Sequence, residues 1–192
     1  DGGTQWTSCG TPEGKRVESL TVYNGDIFAS GYDQGAVYRF DGQQWAHQGD
    51  IQGATQTYGF ATHRGQLYVS EWPNASVYRW GGDKQWLFAG RLGDEQETMP
   101  LMVYNGKLYG GTLPSAEVYR YDDPQWSPVG RLDHTPDVRY RRTWTMAIFQ
   151  GRLFAGTLPS GHVHSVEIGR NVSYDHALPS GWVHLAAVRD TN

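Results

Sequence analysis

The sequence predicts an all-β protein, a small β-propeller of four four-stranded antiparallel blades, and three observations carry that prediction. Gly25, Gly65, Gly106 and Gly151 head one repeated pattern, at spacings of 40, 41 and 45 residues. Each unit holds short β-rich segments separated by turn residues, the pattern of sequential strands. No window shows the apolar stripe of a helix, whereas four strands per unit of about 40 residues is the signature of propeller blades.

The first strand of each unit is the apolar stretch before the glycine, at residues 20–23, 60–63, 101–104 and 146–149. The second follows the glycine: Ile27-Phe28-Ala29, Leu67-Tyr68-Val69, Leu108-Tyr109-Gly110 and Leu153-Phe154-Ala155. Between them, Asn24-Gly25 and Asn105-Gly106 predict type I′ hairpins, because both central residues of that turn need positive φ. The third strand begins at Val37, Val77, Val118 or Val163; three of these open Val-Tyr-Arg and the fourth reads Val163-His164-Ser165. Gln-Trp followed by a glycine marks the fourth strand, as Gln44-Trp45 to Gly49, Gln85-Trp86 to Gly90 and Gln125-Trp126 to Gly130. The same mark stands near the start, as Gln5-Trp6 to Gly10, and is missing from the fourth unit.

The economical reading is circular closure, with the N-terminal strand at residues 3–10 completing the last blade, so that no edge is left there. The alternative is a section of a larger propeller cut within a blade, and a chain opening Asp1-Gly2-Gly3 reads as a processed or excised piece. The units are then residues 11–51, 52–92, 93–132 and 133–168 plus 1–10, with residues 169–192 outside the repeat. Trp45, Trp86, Trp126 and Trp6 are expected to pack between blades. Arg39, Arg79 and Arg120 are expected to brace the scaffold by pairing with backbone or with an acid such as Asp41 or Asp122.

Leu108-Tyr109-Gly110-Gly111, followed by Tyr119-Arg120-Tyr121-Asp122 and Trp126, resembles a shortened kelch motif with its double glycine, tyrosine and tryptophan. The other units are degenerate, as in Val69-Ser70 and Ala155-Gly156. This kelch-like or tachylectin-like resemblance covers about residues 1–168 and implies a fold, with hardly any function. Residues 178–190 resemble one strand of a laminin-G-like jelly roll.

Net charge is −4, and no basic cluster extends beyond Arg139, Arg141 and Arg142, which argues against nucleic acid as a partner. Apolar runs are only a few residues long, so no membrane insertion is expected. One cysteine, Cys9, excludes an internal disulfide. The sequons at Asn74 and Asn171 permit secretion, and the expected location is extracellular. Paired His162 and His164 share a strand face, but two ligands do not make a metal site, and no cofactor is expected. An ion held by backbone carbonyls in the channel would leave no sequence signal.

Function is expected on the face where second-to-third loops and blade-to-blade links surround the channel mouth. Those loops carry Tyr32 and Trp72, flat rings with polar tips that suit sugars and peptides, and beside Trp72 stands Glu71. Glu18, Tyr58, Met99 and Trp144 fall at one repeat position and are expected to line the mouth. The predicted ligand-binding set is Tyr32, Tyr58, Glu71, Trp72, Arg142 and Trp144, with no catalytic residue assigned. Three functions follow: a non-catalytic module binding a glycan or peptide; a glycan-active enzyme of sialidase-like or other acidic-glycan type, gathering its anion with Arg139, Arg141 and Arg142; or an assembly module that meets a neighbouring domain or a second copy through residues 169–192. For the enzyme, carboxylates are available at Glu71, Asp94, Glu95 and Glu97, with no spacing that singles out a pair.

Overall fold

The computed structural model describes residues 3–169, 178 and 180–188. Among them, fifteen strands and no helix form four antiparallel sheets whose strands pair in chain order. The first sheet is β1 (Val17–Tyr23), β2 (Asp26–Gly31), β3 (Ala36–Phe40) and β4 (Trp45–Asp50). The second is β5 (Gln56–His63), β6 (Gln66–Trp72), β7 (Ser76–Gly82) and β8 (Gln85–Arg91). The third is β9 (Glu97–Tyr104), β10 (Lys107–Leu113), β11 (Glu117–Asp122) and β12 (Gln125–Arg131). The fourth has three strands, β13 (Arg142–Phe149), β14 (Arg152–Leu158) and β15 (Val163–Val166). β1 packs beside β5, β5 beside β9 and β9 beside β13, so the first strands form the inner wall of a small β-propeller.

Both predicted type I′ hairpins form, with positive φ at Asn24 and Gly25 and at Asn105 and Gly106. The same conformation occurs at Arg64-Gly65 and Gln150-Gly151, where φ is 50° at Arg64 and 46° at Gln150. Long side chains are not enriched there, so these turns carried no local signal. Asparagine tolerates left-handed φ better than arginine, whose penalty is about 1–2 kcal/mol. Arg64→Asn is therefore expected to stabilise the fold by about 0.5–1 kcal/mol, read as a raised urea midpoint at unchanged slope.

Alternation along the strands gives each sheet two apolar faces, and successive sheets bury them against each other. Phe28 and Val37 of the first sheet meet Leu67 and Val69 of the second. Tyr68 and Val77 then meet Leu108, Tyr119 and Tyr121, and Tyr109 and Val118 meet Met146, Leu153 and Ala155. The outer tryptophans bolt these faces together. Trp86 Nε1–H donates to the Gln48 carbonyl at 2.9 Å and Trp126 Nε1–H to the Ala89 carbonyl at 3.0 Å, each crossing to the preceding sheet. At the inner hairpins, Tyr23 donates to the Gly65 carbonyl at 3.0 Å and Tyr104 to that of Gly151 at 2.7 Å.

The repeated arginines brace their own sheets. Arg120 pairs with Asp122 at 2.7 Å as anticipated, and Arg79 reaches Gln66 Oε1 at 2.9 Å. Arg39 takes Asp26 at 2.8 Å instead of Asp41, whose carboxylate caps the amides of Gln43 and Gln44 in the turn.

The N-terminal closing strand is a correction. Residues 3–10 form no strand, the fourth sheet has three strands among the described residues, and Trp6 is almost wholly exposed rather than packed between blades. The physical reason is a competing tether: Trp45 Nε1–H donates to the Cys9 carbonyl at 2.9 Å and holds this segment on the first sheet. No packing comparable to that between neighbouring first strands joins β1 to β13. Of the jelly-roll-like stretch at 178–190, residues 179, 189 and 190 lie outside the described residues; the rest form no strand and Trp182 is fully exposed. Asn171 likewise lies outside them, whereas Asn74 is exposed on the β6–β7 loop.

Candidate functional site

The site is built by four β-bulges. Pairing slips between Val17 and Ser19 in β1, Thr57 and Phe60 in β5, Thr98 and Leu101 in β9, and Thr143 and Thr145 in β13. The residues left out of the ladders include Glu18, Tyr58, Met99 and Trp144, one from every inner strand. A bulge bends a strand and re-aims its extra side chain, and bulges concentrate beside functional sites. Those four residues line one open depression of 240 Å³ on the inner wall. The expected mouth is thus formed, by a backbone device that the alternation pattern does not reveal.

The bulges are held from the neighbouring sheets. Ser30 donates to the Tyr58 carbonyl at 2.9 Å, and Ser70 to the Met99 carbonyl at 3.1 Å while accepting from Gly59 N–H at 3.0 Å. Gly59 is required there, since a Cβ would stand 2.4 Å from the Met99 carbonyl oxygen.

Two residues before each bulge, a second tier of polar groups appears: Arg16, Gln56, Glu97 and Arg142. The Tyr58 hydroxyl donates to Gln56 Oε1 and lies beside the Glu97 carboxylate; burial, then that carboxylate, push the Tyr58 pKa well up. Burial also raises the Glu97 pKa, against the opposing pull of Tyr58 and of the Arg142 charge. Glu18 is raised by burial too, with Arg16 opposing. Arg142 places its guanidinium 5.8 Å from the Trp144 ring centroid, and its buried Nε has no hydrogen-bond partner among the described residues. Trp144 itself is half exposed.

Tyr58, Arg142 and Trp144 of the predicted set therefore converge, joined by Glu18 and Glu97. Tyr32 stands at the margin with the Arg16 guanidinium 3.8 Å over its ring, and Asp33 fixes that arginine at 2.6 Å, which lowers the Asp33 pKa to about 2. Trp72 ends β6 half-buried, its carbonyl accepting from Thr55 N–H at 2.9 Å. Glu71 does not enter the depression. It is fully buried and accepts from Ser76 N–H at 2.8 Å and Asn74 N–H at 3.4 Å, closing its own loop. Thr112 and Thr157 close the equivalent loops with their hydroxyls. Glu97, buried behind the mouth, lies outside the predicted set, although its repeat position beside Gln56 and Arg142 is a usable signal.

The arginine cluster converges only in part. Arg139 and Arg142 both lie over the Tyr140 ring, at 4.8 Å and 5.5 Å from its centroid, whereas Arg141 is turned aside to donate to the Thr135 carbonyl at 2.6 Å. Glu95 and Asp133 serve the scaffold, accepting from the amides of Ser115 and Ser160 in the next sheet at 3.0 Å each. Among the described residues, no group of three or more His, Cys, Asp or Glu side chains gathers as a metal site.

No family model and no curated protein sequence matches the chain. Solved structures do share its fold. A gluconolactonase from Xanthomonas campestris aligns at a TM-score of 0.64 and 15% identity, over 84% of this chain and 61% of that one. Virginiamycin B lyase from Staphylococcus aureus, solved with quinupristin, aligns at 0.58 and 12%, over 83% and 58%. YCF48 bound to D1 peptide aligns at 0.55 and 16%, over 87% and 55%. The chain thus spans less than two thirds of each of these neighbours, and at such identity the likeness defines a fold: a β-propeller, a class that here includes both enzymes and a peptide-bound protein.

Proposed function

We propose that the chain is a non-catalytic binding module that takes a short peptide at the inner-strand mouth. The observation that carries this reading is the bulge-built depression lined by Glu18, Tyr58, Met99 and a half-exposed Trp144, with the Arg142 guanidinium 5.8 Å from that ring and the buried Glu97 carboxylate behind Tyr58. A peptide offers carbonyls or a carboxylate to Arg142, amides or an amine to the acids, and an apolar side chain to Trp144 and Met99. The peptide bound by YCF48, a neighbour in fold, supports the same ligand class. A carbohydrate is the second reading, favoured by the exposed Trp144 face; the Tyr32 ring is already covered by Arg16. The three-arginine clamp on which an acidic-glycan enzyme would rely is not assembled. The kelch-like and lectin-like resemblance and an extracellular location belong to this proposal and rest on sequence alone.

Screening a peptide array and a glycan array is the test, followed by titration of the best hit against Arg142→Ala and Trp144→Ala. Losing a charged hydrogen bond worth about 1.5–3 kcal/mol is expected to weaken affinity roughly 10- to 100-fold in Arg142→Ala, and loss of the indole contact weakens it in Trp144→Ala. An empty pair of arrays, or unchanged affinity in both variants, removes the reading.

A further inference from the structure

We propose that a second copy of this chain docks between the fourth sheet and the first, so that two four-sheet arcs close one ring with twofold symmetry. The two ends of a single arc are the two halves of one repeated interface. Val37, Val77 and Val118 are buried against the next sheet, whereas their counterpart Val163 is 71% exposed. Phe60, Leu101 and Met146 pack under the preceding sheet, whereas their counterpart Leu20 is 60% exposed. Each end is a natural seat for the other end of a neighbour, a head-to-tail contact that closes when the rotation permits.

A vacant slot and an unplaced ring sharpen this. Trp86 packs between the first and second sheets and Trp126 between the second and third. Between the third and fourth sheets the corresponding place is an open apolar groove of 160 Å³, lined by Val118, Val129, Leu132, Met146, Ala155 and Val166. The remaining repeat tryptophan, Trp6, is 96% exposed.

Its segment already follows the path of an outer strand. Trp45 Nε1–H reaches the carbonyl three residues after Trp6, as Trp86 and Trp126 reach those three residues after Trp45 and Trp86. Pro12 is then buried where Ile51 and Leu92 are buried. Among the described residues, the first sheet therefore carries the outer segment of a sheet whose three inner strands are not beside it, and the fourth sheet is three inner strands without an outer one. With β1 and β13 apart within one chain, a second copy supplies both halves: its fourth sheet takes residues 5–10, and its own residues 5–10 place Trp6 in the groove. Gly130 agrees with this. A Cβ at Gly49 or Gly90 would strike the outer hairpin of the next sheet, whereas Gly130 faces open space.

The paired registers Tyr121 to Trp126 and Arg120 to Ser127 set the expected contacts, Val166 to Trp6 and Ser165 to Thr7 across the two copies. The test is a chain carrying Thr7→Cys, Ser165→Cys and Cys9→Ser, followed by light scattering and non-reducing electrophoresis. The expected result is twice the 21.5 kDa chain mass in solution, with disulfides joining different chains on oxidation. In the otherwise unaltered chain, Val163→Glu and Leu20→Glu, at positions exposed in one copy, are each expected to raise the dimer dissociation constant at least 100-fold while leaving far-ultraviolet circular dichroism unchanged. A monomer with an internal disulfide would show the chain closing on itself and overturn the proposal. So would a monomer without that disulfide, a polymer that grows with concentration, or a dimer indifferent to both charge substitutions.

Discussion

Gly49→Ala is expected to destabilise the fold by roughly 2–5 kcal/mol, combining a positive-φ penalty of about 1–2 kcal/mol with overpacking of about 1–3 kcal/mol. Gly49 has φ of 92°, and a Cβ there would stand 2.1 Å from the Lys84 carbonyl oxygen. That atom belongs to backbone in the β7–β8 hairpin, so no side-chain rotation relieves the overlap. The first two sheets would have to separate at their outer edge, loosening the Trp86 bond to Gln48 and the indole packing beneath it. A domain with roughly 5–15 kcal/mol of total stability loses a large share of it in this way. Gly25→Ala isolates one component, because Gly25 shares the positive φ, at 88°, yet faces open space. Its expected cost is about 1–2 kcal/mol. Urea unfolding of the two variants checks the difference. Equal midpoints would mean that the outer seam is not close-packed.

The motif that names Gly49 shows why so much of the scaffold was legible. Gln-Trp followed by glycine recurs because Trp86 and Trp126 each reach the equivalent backbone carbonyl of the preceding sheet, and Gly49 and Gly90 must clear the sheet that follows. Interfaces repeated three times leave a periodic trace in the sequence. Bulges leave none: nothing in the residues around Glu18, Tyr58, Met99 or Trp144 marks a slipped ladder, since register is a property of two strands together. The mouth position was nevertheless readable by counting from the turn glycine, and the second tier at Gln56, Glu97 and Arg142 was open to the same counting. Trp6 misled for a different reason. Its motif predicts an outer strand, yet residues 3–10 form none and are held on the first sheet by the Trp45 bond to the Cys9 carbonyl, a contact between distant residues that local sequence does not encode.

Glu71 carried a binding expectation because it sits beside an aromatic in a loop, and its structural role makes the second large effect. Its carboxylate is fully buried and satisfies the Ser76 and Asn74 amides. Glu71→Ala leaves Ser76 N–H without its acceptor, at about 1–3 kcal/mol, and opens a void beneath the loop. Removing a buried charge returns some desolvation energy, so the expected net loss is about 2–3 kcal/mol. Thr112 and Thr157 close the equivalent loops with a neutral hydroxyl, and Glu71→Thr is accordingly expected to recover most of what the alanine loses. The pH dependence separates this role from a surface acid. Burial raises the Glu71 pKa, with the Ser76 and Asn74 amides opposing. A carboxyl whose folded pKa lies above its unfolded value of about 4.3 stabilises the fold below that pH and loses the contribution as pH climbs through the folded pKa. Stability of the unaltered protein minus that of Glu71→Gln should therefore fall with pH above about 4.3, because the amide does not ionise and the other carboxyl groups cancel in the difference. Urea unfolding at a series of pH values measures it; a flat difference would place this carboxylate in water rather than beneath its loop, and a rising one would mean that the amide hydrogen bonds outweigh burial.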